Sequence, residues 1–294
     1  MKVVPTQIGV LDPGPQSGAW QRFRAGLKWF FAPAERREID GNTATGTLKL
    51  IAVIFMFCDH AGKMLFSHYG GMTSLPSVPE LRIIGRLAFP IYCWCMAVGF
   101  SYTRNALRYI LRVLAVGLVS QPLYCIALDH PLTKPNIMLT LAVALLGLWF
   151  LRERKALPGL WKPLGIVMAA GTLVLAEVLG CDYGWKGVLL VYLLYAARTS
   201  RPAIAAVMVG FCLYWGSSSS VVSTLFGMNT AALRNPNTPW GVLLSPWLKL
   251  QALAVNALPF MLIRMKNIRM HQAIGYLLYP LHLVLLEILR LLLV

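Results

Sequence analysis

The sequence predicts an all-α fold: a polytopic integral membrane bundle of about nine (nine to eleven) transmembrane helices, preceded by an amphipathic interfacial helix. Three observations predict it. Of 294 residues, 57% are hydrophobic and only 13% are charged. The apolar residues run in stretches near the ~20 residues that carry a helix across a ~30 Å hydrocarbon core. The 27 Lys and Arg, giving a net charge of +16, gather mainly in the short connections. That placement fits positive-inside orientation and contact with anionic membrane lipid rather than nucleic acid.

Residues 1–46 read as an N-terminal cytoplasmic arm and 47–294 as the transmembrane domain. Residues 1–18 are rich in Pro and Gly, without the apolar core of a signal peptide. From Trp20 to Phe31, Arg22, Arg24 and Lys28 interleave with aromatic and aliphatic residues, the pattern of a basic helix lying on an anionic leaflet. The first span, 47–66, leads to a Gly/Pro/Ser loop. Further spans are expected near 84–101, 109–128, 136–151, 163–180, 184–198, 203–216, 246–263 and 273–293, and 217–244 has room for a re-entrant or further helix. With the N-terminus cytoplasmic, 19 basic residues fall on that side and 8 on the other. This orientation leaves the N-terminus cytoplasmic and the C-terminus outside. The six cysteines lie in or beside apolar segments with no CxxC spacing, so they read as small buried hydrophobes and no metal site is expected.

The first span carries Asp59 and His60 at membrane depth, where an ionisable side chain costs at least ~2.5–3.5 kcal/mol and points to function. Lys49, Val53, Met56, His60 and Lys63 follow helical spacing on one face, with Lys49 and His60 roughly 16 Å apart along the axis. The second span brings Arg86 just inside the outer boundary and the last brings His282 near mid-depth. Asp182 and Tyr183 form an outer turn. These groups, with Glu177 and Glu287, are expected to share one outer-half cavity. A neutral histidine oriented by an adjacent carboxylate is a general base, and an arginine beside it suits an oxyanion or a carboxylate. Lys49, Arg104 and Arg108 at the cytoplasmic mouth suit phosphates. The combination fits a donor with a charged cytoplasmic head and a reactive end at His60, the shape of acyl-coenzyme A. The blander reading pairs Asp59 with Lys63 and Glu287 with Arg290, and leaves the histidines as packing residues.

The blocks LKLIAVIFMFCDHAG, LRIIGRLAFPIYCWCMAVGFSYTRN, NIMLTLAVALLGLW, DYGWKGVLLVYLLY and LLYPLHLVLL resemble, in order, the TraX family of conjugative plasmids and related bacterial proteins. The founding member of that family N-acetylates F-type pilin. The resemblance covers roughly Leu48 to Leu286 and extends distantly to transmembrane acyltransferases of the acyltransferase-3 and heparan acetyltransferase type. It implies an acetyltransferase that uses acetyl-CoA, with pilin or another envelope amine or hydroxyl as acceptor. It further implies His60 as catalytic base supported by Asp59, with Arg86 and His282 as site residues. Arg82 belongs to the same block, and Arg82, Asp182, Tyr183 and Tyr279 are expected as substrate contacts. The basic loop RMKNIRMHQ, with Lys266, is implied on the donor side, although it lacks the family's glycine. The rival functions are a proton-coupled transporter and a non-catalytic assembly factor of a pilus or secretion system.

Overall fold

Apolar segments that meet no water must bond their own backbone groups, and in a chain of this composition the helix does so locally. The computed structural model describes Gly18, Trp20 and residues 39–67, 77–153, 159 and 162–293. The interfacial helix expected at 20–31 lies, apart from Trp20, outside the described residues. So does most of the arm 1–46.

The helices are α1 (Thr45–Ser67), α2 (Ser77–Gly85), α3 (Ala88–Tyr102), α4 (Ala106–Leu128), α5 (Ile137–Glu153) and α6 (Lys162–Val178). They continue with α7 (Gly184–Ala197), α8 (Arg201–Ser217), the short α9 (Pro239–Leu244) and α10 (Leu258–Leu262), and α11 (Gln272–Leu293). Among the described residues, four stretches are long and apolar enough to cross a membrane: Thr45–Met64, Glu80–Tyr102, Ala106–Leu128 and Ala273–Leu292. The second of these joins α2 to α3 through a turn at Arg86 and Leu87. The helices α5, α6 and α8 have 17 residues each, the lower edge of a spanning length. The 14 residues of α7 fall short of it.

Capping sets several boundaries. The Asn105 side chain accepts from Arg108 N at the start of α4, and Ser200 accepts from Ala203 N at the start of α8 with Pro202 in the first turn. At the far end of α4, Asp129 takes a left-handed conformation, φ 53°.

One expectation needs correction. The stretch 246–263 forms no continuous helix but a 3-10 segment, Ala252–Ala257, followed by α10. Lys249 Nζ donates to Ser217 O (2.6 Å) at one end of α8, and Asn42 N donates to Met261 O (2.7 Å) beside the start of α1. The segment therefore runs from one end of the bundle toward the other, as an apolar helical stretch of only 252–262. Ala252, Ala254, Ala257 and Met261 are fully buried, and the small side chains let it press on α8, where Gly216 meets Ala252. The stretch 217–244, with room for a re-entrant or further helix, holds one short helix and no span-length one. It forms a two-stranded ribbon, β1 (Thr224–Leu225) and β2 (Met228–Asn229), then a 3-10 turn and α9, so the described residues are helical with one small β element.

At the centre stands α3, buried at every position from Ala88 to Val98, as expected of a helix apolar on all sides. The outward faces of α4, α6 and α11 expose Val119, Val167 and Leu291, the surface a bilayer would cover. The end carrying Asn42 is called basal below, and the end carrying Asp182 apical.

Candidate active site

The site begins with a close helix contact. A Cβ on Gly85 would overlap Cβ of Asp59, so glycine lets α2 touch α1 at that residue. The next residue, Arg86, then places its guanidinium on the Asp59 carboxylate, and Arg82 Nε stands 3.9 Å from the same oxygen. The Arg86 side chain is 8% exposed and its Nε also donates to Arg82 O at 3.3 Å. Such a pair balances two charges that would each be costly alone at this depth.

His60, the next residue along α1, faces a different partner. Its Nδ1 lies 3.0 Å from His282 Nε2, and the rings stack with centroids 5.1 Å apart at 26°. Neighbouring helical side chains diverge by about 100°. That divergence explains why Asp59 bonds the arginines rather than orienting His60, as the sequence suggested. The partner role falls to His282, which is 4% exposed. One ring donates the shared proton and the other accepts it.

Asp59, His60, Asp182, Tyr183 and Tyr279 line a cavity of about 30 Å³, with Phe89, Tyr92 and Tyr124 among its other walls. It has room for roughly one or two water-sized groups. The Asp182–Tyr183 turn is held over it. Thr140 Oγ1 donates to Asp182 O (2.7 Å), and Tyr183, at φ 64°, stacks on Phe89 with centroids 4.1 Å apart. Burial pushes the Asp182 carboxyl above its ordinary range. The Tyr279 hydroxyl is buried at the cavity, facing the Ile137 backbone N–H at the start of α5. Arg86 does not line the cavity; it acts on it through Asp59.

Other expected members lie elsewhere. Glu287 pairs with Arg290 (2.6 Å), and Glu177 accepts from Trp185 N (3.4 Å) at the apical rim. Lys63 bonds His130 (Nζ to Nε2, 2.8 Å) rather than Asp59, and burial, Lys63 and Lys134 hold His130 below its ordinary pKa.

A second cavity, about 400 Å³, opens at the basal end between α1, α3, α4 and the loop before α11. Lys49, Arg112, Arg269 and His271 line it with Asn267 and Tyr276. Of the four basic residues expected to serve a donor, only Lys49 is there. Arg104 and Arg108 precede the cavity, whose α4 wall begins at Tyr109, and Lys266 contributes its carbonyl to Thr47 Oγ1 (2.6 Å). Arg112, Arg269 and His271 went unassigned in the sequence because positive-inside charge and ligand charge look alike there. Tyr92 and Tyr124 went unassigned because a tyrosine in an apolar helix reads as packing.

Residues 44–290 match the protein family described as TraX protein. A 121-residue stretch is 34% identical to a protein of Dichelobacter nodosus described as "Probable fimbrial assembly protein FimC, serogroup H1", covering 38% of this chain and 48% of that protein. The chain thus spans about half the length of that relative. No solved structure matches. With the match running through every helix of the bundle, this membrane chain belongs to the TraX protein family.

Proposed function

We propose that the protein is a membrane-embedded acyltransferase that moves an acetyl group from acetyl-CoA to an envelope acceptor. The observation that carries the reading is His60, on the wall of a small cavity and bonded from behind by His282, in line along α1 with the basic basal cavity. When His60 Nδ1 donates to His282, His60 Nε2 keeps a free lone pair and can act as a base. The acceptor nitrogen or oxygen attacks the thioester carbon and its proton passes to His60. The C–S bond then breaks, and the CoA thiolate recovers that proton. Asp59 and Arg86 hold α1 and α2 in register beneath the pair. Lys49, Arg112 and Arg269 suit the phosphates of the CoA head, and the ~16 Å from Lys49 to His60 is left for its pantetheine arm.

The basal end then faces the cytoplasm of a bacterial inner membrane. Membership of the TraX family and the fimbrial assembly relative favour a pilin amine as acceptor, or another envelope amine or hydroxyl. The relative's description also favours a second reading, a non-catalytic pilus assembly factor. Acetyl-CoA binding and turnover by the purified full chain, compared with His60→Ala, separate the two. The expected result is saturable binding by both proteins and at least a ~10²-fold loss of turnover in the variant. Absence of binding by the wild type refutes the acyltransferase. Undiminished pilus assembly with His60→Ala in cells supports the assembly factor.

A further inference from the structure

We propose that the groove between the apical end of α8 and the segment 218–250 is a binding site for an anionic phospholipid, with its phosphate between Arg234 and Lys249. The groove has a volume of about 570 Å³, with Leu213, Pro236, Val242 and Pro246 forming apolar walls. Arg234 and Lys249 line the same groove and both are partly buried.

Among the described residues neither cation has a carboxylate partner, since Glu80, the acid that touches this segment, accepts from Gly227 N at 3.4 Å instead. From Ser217 to Gln251 the sequence holds no Asp or Glu, and no ion pair joins either cation among the described residues. Each side chain is steadied by one neutral bond. Arg234 Nε donates to Thr230 Oγ1 (3.1 Å) and Lys249 Nζ to Ser217 O (2.6 Å). The remaining N–H groups of the guanidinium and the ammonium suit a phosphodiester, which accepts from both. Lys186, bonded to Ser218 Oγ at 3.4 Å, adds a third cation at the same helix end.

The surroundings favour a lipid over a free anion. Trp240, Val242 and Leu243 on α9 are 68%, 62% and 58% exposed, and Phe226 and Met228 at the ribbon are 64% and 61% exposed. A row of exposed apolar side chains ending in tryptophan, at the end of the transmembrane-like α8, is the composition of a segment lying in the headgroup layer. Acyl chains leaving the phosphate would follow Leu213 down the face of α8 into the hydrocarbon. This site is independent of the acyltransferase reading.

The test measures lipid affinity of the full chain in detergent by native mass spectrometry, with phosphatidylglycerol and phosphatidylcholine as probes. Wild type should prefer phosphatidylglycerol about tenfold or more, and Arg234→Gln/Lys249→Gln should reduce that to threefold or less. Val242→Glu, an exposed substitution that puts a carboxylate in the groove, should do the same and serves if the double variant fails to fold. Equal affinity for the two lipids overturns the proposal. So does a preference that survives both variants. Inorganic phosphate should compete weakly; thermal stabilisation by phosphate equal to that by phosphatidylglycerol overturns the lipid assignment.

Discussion

The Asp59–Arg86 pair offers a quantitative check on how the site is held. Asp59→Asn keeps the shape of the side chain and removes its charge. Arg86, 8% exposed, keeps its bond to the Arg82 carbonyl but loses its counter-ion. Breaking a buried pair from one side costs about 3–5 kcal/mol, because the remaining charge is uncompensated. Arg82, 44% exposed and 3.9 Å away, contributes under ~1 kcal/mol and does not change that figure. The amide still accepts a hydrogen bond, so the lower end, about 3 kcal/mol, is expected. The double variant Asp59→Asn/Arg86→Gln removes both charges and should recover half or more of the loss, a coupling of roughly 1.5 kcal/mol or above. Denaturing-detergent titration of the purified chain, followed by fluorescence of its nine tryptophans, measures both quantities. A loss under ~1 kcal/mol for Asp59→Asn, or double-variant additivity, would refute the view that the pair is a buried, mutually dependent unit.

Two further outcomes follow from the apical end. Because burial, Lys63 and Lys134 hold folded His130 below its ordinary value of 6.5, the unfolded chain takes up that proton first. Its contribution to stability is full above pH 6.5 and is lost as the pH falls toward the folded value. His130→Asn should flatten that part of a stability-against-pH curve, and an unchanged slope would contradict the assignment. At the end of α4, the left-handed Asp129 predicts that Asp129→Ala lowers stability by about 1 kcal/mol while Asp129→Gly does not. Thermal unfolding of the two variants side by side checks the contrast; equal effects would dismiss it.

Helix positions were legible in the chain because hydrocarbon-length apolar runs must close their backbone bonds within themselves. That logic located α1, α3, α4 and α11 within a few residues. At 246–263 it gave too long a helix: the backbone bonds close in a 3-10 segment, Ala252–Ala257, running into the short α10, and small side chains pack that segment on α8. The polar residues were equally legible as outliers: Asp59, His60, Arg86 and His282 are conspicuous in apolar surroundings, and they do lie close together. Their pairing was not legible. Helical geometry turns Asp59 and His60 apart, and which partner meets each depends on Gly85 admitting α2 and on α11, 222 residues away, presenting His282. The basal cavity was hidden for a related reason. Sequence counts basic residues at a membrane face, but only the packing of α1, α4 and the loop before α11 selects Lys49, Arg112 and Arg269 from the rest. Composition fixed where charge is costly, and tertiary contacts decided which charges face one another.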